Sequence, residues 1–146
     1  MKKIFVYYSE SGNGDTIANY LKNKKYDVEK IKAKNLPRPF LLKMLVGGFK
    51  ASVGKKDKIE DLKNNIDKYD EIVIGSPIWN DRLCSPVRGF LHKYNLKDKK
   101  LHFVLYSGGG TASSAEKFIN NEFKNAKVTV LRSPKNNEKE LSKLDN

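Results

Sequence analysis

The sequence predicts an α/β fold in which an open parallel sheet is covered by helices on both faces, and three observations carry that reading. Four short runs rich in β-branched and aromatic residues, at 4–8, 72–75, 101–107 and 128–131, each end in a cluster containing Ser, Gly or Pro. The runs are continuously apolar rather than alternating, which suits strands buried on both faces. Stretches with apolar residues at helical spacing lie between them, so strand and helix alternate along the chain.

The elements follow in order. The first strand is Ile4 to Tyr8, and Ile17, Ala18 and Leu21 mark the buried face of a helix over 16–21. A second strand, 26–31, carries Asp27, Glu29 and Lys30, and such charges suit a sheet edge. Residues 37–54, PRPFLLKMLVGGFKASVG, place apolar residues around much of a helix whose middle Gly47 and Gly48 weaken; they fit a helix packed on the sheet, a mobile flap or a partner site. The third strand is Ile72 to Gly75, followed by a helix over 86–94 whose face is Val87, Phe90, Leu91 and Tyr94. Leu101 to Ser107 forms the fourth strand, 115–123 a helix with Phe118, Ile119 and Phe123, and Val128 to Leu131 the fifth strand. Residues 133–146 read as a short polar tail or helix.

At 146 residues the chain has the size of a single domain, 1–146, and no repeat or linker divides it. No apolar stretch approaches the ~20 residues that a membrane span needs, and Met1-Lys2-Lys3 leads into a strand with no cleavage site behind it. One cysteine, Cys84, cannot form an intrachain disulfide, which fits a cytoplasmic location. The 29 Lys/Arg outnumber the 17 Asp/Glu for a net charge of +12. The excess is concentrated in residues 1–60, with 14 Lys/Arg against 6 Asp/Glu. Such a basic face fits nucleic acid, an anionic membrane surface or an acidic protein, or a solvated surface with no specific partner.

In an open α/β sheet, ligands bind beyond the carboxyl ends of the strands, so the loops there carry the search for chemistry. The first is Ser9-Glu10-Ser11-Gly12-Asn13-Gly14-Asp15-Thr16. It supplies hydroxyls and backbone N–H groups at a helix N-terminus, which is how proteins hold phosphate. The plainer alternative is a turn in which Asp15 or Thr16 caps the helix. Ile17 stands at the third glycine position of a GxGxxG, which weakens a dinucleotide site, and the sequence 48–56 has the wrong spacing for a nucleotide P-loop. The second loop, 75–86, holds the chain's single tryptophan, Trp79, either stacked on a flat ring or filling the core. The third, Ser107-Gly108-Gly109-Gly110-Thr111, lets backbone approach a planar ligand or simply turns. Cys84 reads as a small, partly buried residue rather than a redox thiol, and His92 and His102 have no acidic constellation for a metal site or a triad.

Taken together, the three loops resemble those of the flavodoxin family, especially its short bacterial members. The resemblance rests on the hydroxyl-rich first loop, on Gly-Ser-Pro-Ile-Trp at 75–79 with Pro-Val-Arg-Gly-Phe-Leu at 86–91, and on the glycines after the fourth strand. It implies a flavodoxin-like three-layer sandwich with a five-stranded parallel sheet of order 2-1-3-4-5 and a noncovalent FMN. By that match Ser9, Ser11, Gly12, Asn13, Gly14 and Thr16 surround the phosphate. Pro77, Ile78, Trp79 and Asn80 lie along one side of the isoalloxazine, and Ser107, Gly108, Gly109 and Gly110 edge the other.

Three departures from the family pattern matter. Gly14 stands where a threonine is common, which removes one phosphate hydroxyl and weakens binding several-fold. Asn80-Asp81 lacks glycine's freedom for the backbone flip that accompanies one-electron reduction in the family. Family members are typically acidic; here the positive charge, Arg82 included, favours the anionic reduced flavin and predicts a less negative lower potential. The resemblance therefore implies an electron-transfer protein that passes electrons between redox partners with acidic docking surfaces, as a monomer or weak dimer. The alternative is an NAD(P)H-dependent FMN quinone or flavin reductase. A basic module for nucleic acid or a membrane surface ranks last, since interleaved base-stacking aromatics are missing and no specific nucleic acid is expected. The polar tail, poorer than a full closing helix, is expected to leave part of one sheet face to a partner or second subunit.

Overall fold

The computed structural model describes residues 1–34 and 58–146. The segment read from sequence as a helix or flap, 37–54, lies outside the described residues. Along the chain come β1 (Lys3–Tyr7), α1 (Asn13–Lys22), β2 (Asp27–Lys30), a 3-10 turn (Ile66–Lys68) and β3 (Glu71–Trp79). They are followed by β4 (Arg82–Leu83), α2 (Ser85–Lys93), β5 (Lys100–Ser107), α3 (Ser113–Glu122), β6 (Lys127–Arg132) and a 3-10 segment (Glu138–Asp145).

Strands β2-β1-β3-β5-β6 form a parallel sheet in that order. This is the expected 2-1-3-4-5 order once the two-residue β4, which pairs antiparallel with β3, is counted. Successive side chains of a strand point to opposite faces, and the core divides accordingly. Ile4, Val6, Ile72, Ile74, Phe103 and Leu105 face one layer, where Val87 and Phe90 of α2 and Ala115 and Ile119 of α3 cover them. Phe5, Tyr7, Val73, Val104 and Tyr106 face the other, under Ile17, Ala18 and Leu21 of α1. Full burial of each such side chain contributes roughly 1.5–3 kcal/mol, so both faces are needed to hold the sheet. β2 sits at the edge, as its charges predict, and only Val28 reaches the core.

The C-terminal segment closes the α1 face, contrary to the expectation that a polar tail would leave it open. Leu141 is buried there and Leu144 packs beside it. The Asp145 carboxylate accepts from the Tyr20 hydroxyl at 2.6 Å and from Lys24 at 2.7 Å, fixing the segment to α1. Among the described residues no helix is long and apolar enough to cross a membrane.

Candidate functional site

The first loop is built around Ser9 Oγ. It accepts the backbone N–H of Gly12 at 3.2 Å and of Gly14 at 3.1 Å. Helix α1 starts at Asn13, and its cap is Gly12 at φ 95°, a left-handed backbone that favours glycine. Asp15 and Thr16 are therefore residues of the first turn, not caps: Thr16 N–H and Oγ1 both donate to Gly12 O, at 3.0 and 3.1 Å. The first N–H groups of a helix have no intrahelical acceptor. Ser9 takes the one from Gly14, and the remaining N–H dipoles leave a positive end suited to an anion. Ser11, Asn13 and Thr16 surround that turn, with Asn13 Nδ2 donating to Ser11 Oγ at 3.3 Å.

Two tyrosines form the floor. A Cβ placed on Gly14 would meet Tyr7 Cδ2 and Tyr106 Oη at 2.7 Å and Ser9 Cβ at 2.8 Å. Tyr7 donates to Asp15 Oδ1 at 2.8 Å, and Tyr106 donates to Tyr8 O. Burial raises both phenols above their ordinary range, in Tyr7 with help from Asp15, so both stay protonated donors. The threonine common in resembling loops has no room here, and glycine at this position follows from packing.

The second loop is more regular than its sequence suggests. β3 runs through Pro77 and Ile78 to Trp79. Pro77 is tolerated because the pairing with β1 ends at Gly75, so no ladder partner there requires its missing N–H. Asn80 (φ 53°) and Asp81 (φ 60°) make a two-residue hairpin turn into β4, both left-handed as a type I′ turn demands. Trp79 is only 5% exposed and meets Tyr8 edge-on, at 5.8 Å and 88°. Its ring is thus a core contact, the plainer of the two readings left open by the sequence. Cys84 is fully buried with its N–H on Ser76 Oγ at 3.2 Å, so it lacks the access that a redox thiol needs.

Asp81 ties this hairpin to α3. Its Oδ2 accepts Ser114 N–H at 3.0 Å and its carbonyl accepts Ala115 N–H at 3.0 Å, a cap supplied from outside the helix. The hydrogen bonds from Ser114, and to a lesser degree Arg82, hold its carboxyl below the usual range.

In the third loop Ser107 Oγ accepts Thr111 N–H at 3.1 Å and donates to Thr111 O at 3.0 Å. Gly110 needs its φ of 74° and packs on Arg132. Gly108 and Gly109 differ: neither has a positive φ, and a Cβ would meet nothing within 4 Å at Gly108 and only Thr111 Oγ1, at 4.0 Å, at Gly109. The fold itself gives no reason for glycine at these two positions. Their missing side chains leave the backbone open to close approach by a flat ligand such as a flavin ring.

Sequence reading missed the strap that joins the first and third loops. Ser133 N–H donates to Ser107 O at 3.0 Å, and Lys135 N–H donates to Asn13 Oδ1 at 3.0 Å. Lys135 Nζ donates to Ser11 O at 3.1 Å. The phosphate-type turn at α1, the β3–β4 hairpin and the open glycines thus lie together beyond the carboxyl ends of β1, β3 and β5, neighbours in the sheet.

The sequence pattern of the NADPH-dependent FMN reductases matches residues 8–137, which include all three loops. The chain belongs to that family. It is a flavodoxin-like protein with FMN as its cofactor. A search of curated proteins finds no match to its sequence. Among solved structures it is similar to a protein of Bacteroides eggerthii assigned to the flavoproteins, at 22% identity and a TM-score of 0.75 over 99% of this chain and 96% of that one. A flavoprotein from Lactobacillus acidophilus, solved in complex with FMN, is 21% identical with a TM-score of 0.67 over 94% of this chain and 97% of that one. An archaeal flavodoxin is 18% identical, with a TM-score of 0.55 over 98% and 90%. These likenesses agree on the flavodoxin-like fold.

Proposed function

We propose that this family member is an NAD(P)H-dependent oxidoreductase that reduces a quinone, flavin or other small acceptor through its FMN. The family match over residues 8–137 carries the reading and favours it over the electron carrier that the loops alone suggested. FMN, when bound by these loops, would supply the redox chemistry, taking a hydride equivalent from the nicotinamide and, with one proton from solvent, converting a quinone to its hydroquinone.

Residues of this chain supply binding and orientation. Ser9, Ser11, Gly12, Asn13, Gly14 and Thr16 hold the flavin phosphate at the amino end of α1. Ile78 and Asn80 border the ring from the hairpin, with Pro77 and Trp79 supporting that hairpin from the strand. Ser107 to Gly110 border the ring from β5, where the missing side chains of Gly108 and Gly109 permit close approach. Arg82 on β4 lies near Arg88 of α2, whose guanidinium is lowered mainly by burial and then by Arg82. Together with the +12 charge, these cations support a polyanionic substrate such as NADPH. The same surface suits acidic protein partners, the docking mode proposed for a carrier.

Steady-state turnover tests the reading. FMN-loaded protein should oxidise NADPH with a quinone as acceptor, with kcat/KM higher for NADPH than for NADH and falling as salt rises. Failure with both nicotinamides, together with ready oxidation of the chemically reduced flavin by an acidic carrier protein, would instead establish electron transfer between proteins.

A further inference from the structure

We infer that Lys135 supplies the counter-charge for the phosphate held in the first loop, and that it thereby sets the preference for FMN over uncharged riboflavin. The inference rests on the reading of that loop as the phosphate cradle. Lys135 lies in the segment after β6, 121 residues beyond Gly14 in sequence, yet its aliphatic chain covers Gly12: a Cβ on Gly12 would lie 3.2 Å from Lys135 Cδ and 3.4 Å from Nζ. Among the described residues it is the lysine whose ammonium reaches the backbone of this turn, through Ser11 O at 3.1 Å.

Its position is built rather than left to a flexible side chain. Ser133, at φ 41°, reverses the chain at the end of β6 and donates its N–H to Ser107 O at 3.0 Å. Pro134 is buried, and the N–H of Lys135 itself is taken by Asn13 Oδ1 at 3.0 Å. The backbone of the strap is therefore anchored on both neighbouring loops before the ammonium is considered.

The ammonium has three donors, and Ser11 O takes one. No carboxylate of a described residue pairs with it. The two acids of the loop are engaged elsewhere: Glu10 accepts from the Tyr8 hydroxyl, and Asp15 accepts from Tyr7 at 2.8 Å and pairs with Lys30 at 3.2 Å. The Thr16 hydroxyl donates to Gly12 O, Ser9 Oγ accepts two N–H groups and keeps its own O–H to donate, and Gly14 brings no hydroxyl. A dianionic phosphate at this turn would thus meet helix N–H groups and the Ser9 and Ser11 hydroxyls, and among the described residues the ammonium held against the turn's backbone is that of Lys135. Because Lys135 is exposed, its contribution is screened by salt.

The test uses flavin-stripped full-length protein in three forms, wild type, Lys135→Gln and Lys135→Arg. Each is titrated with FMN and with riboflavin at low and high salt, following flavin fluorescence, with thermal melting of each form alongside. Glutamine removes the charge and keeps the main-chain bond to Asn13, so unchanged melting is expected. The expected result is that Lys135→Gln weakens FMN binding by roughly three- to tenfold at low salt, leaves riboflavin binding unchanged and flattens the salt dependence, while Lys135→Arg recovers most of the loss. An unaltered FMN-to-riboflavin ratio in Lys135→Gln would overturn the role of the lysine while leaving the cradle in place. Wild-type protein that bound both flavins equally would overturn the cradle and the proposal together.

Discussion

Gly14 and Tyr106 exclude any side chain between them: a Cβ on Gly14 would sit 2.7 Å from the Tyr106 hydroxyl. The phosphate-type turn is therefore pressed directly onto the sheet, and the residue that looks like a lost phosphate ligand is a condition of that packing. Gly14→Ala should destabilise the fold by about 1–3 kcal/mol, read by urea unfolding, and Gly14→Thr should cost more and weaken FMN binding rather than improve it. Adding Tyr106→Phe should not rescue either variant, because Tyr7 Cδ2 and Ser9 Cβ stand equally close. A Gly14→Thr variant with wild-type stability and tighter FMN binding would contradict this packing.

Gly108 and Gly109 allow the opposite experiment. With open space around them and no positive φ, alanine at either position should be neutral or stabilise the apo-protein by about 0.4–1 kcal/mol, because it restricts the unfolded chain. FMN binding should nevertheless weaken by about tenfold if the ring lies against this backbone. Parallel melting curves and flavin titrations separate the two effects.

Asp81 couples the hairpin to α3 through Ser114. Asp81→Ala should lower the melting temperature and speed hydrogen exchange at the Ser114 amide. Since the folded carboxyl is held below its ordinary value, the contribution of Asp81 is present above the ordinary carboxylate range and is lost as pH falls through the depressed value. The difference in melting temperature between wild type and Asp81→Ala should accordingly shrink in acid.

His102 gives a second pH effect, in a different window. Burial, and then Lys127 and Lys100, push its imidazole from 6.5 down to about 4, and its Nε2 lies 2.8 Å from Thr129 Oγ1. The unfolded chain thus binds a proton that the folded chain refuses between those values, so stability rises with pH from about 4 to 6.5. The slope from this one group reaches at most about 1.4 kcal/mol per pH unit. Replacing His102 with Gln should flatten the urea-unfolding profile in that window; an unchanged slope would assign the proton elsewhere.

The layers and strand order were legible because the information is local. Continuous apolar runs such as 101–107 announce doubly covered strands, and Ile17, Ala18 and Leu21 announce a helix face. The three loops beyond the strand ends were legible for the same reason, as punctuation between elements. What escaped depends on contacts across the chain. Asn80-Asp81 has no glycine to announce a type I′ turn, so in sequence the β3–β4 hairpin looks like part of a loop over 75–86. Trp79, which the resemblance places along the isoalloxazine, is buried edge-on against Tyr8, a contact set by tertiary packing. The strap at 133–135 has no apolar period at all; Lys135 joins the site only because the turn at Ser133 directs it back over Gly12.

Anaerobic single-turnover mixing shows whether a nicotinamide reduces the bound flavin. FMN-loaded protein is mixed with NADPH, unlabelled or deuterated at the transferred position of the nicotinamide, and loss of the oxidised-flavin absorbance is followed. Full bleaching by one equivalent of NADPH is expected, slower with the deuterated donor, since hydride passes to the flavin in that step. Flavin that stays oxidised under NADPH but is readily reduced by dithionite would contradict it.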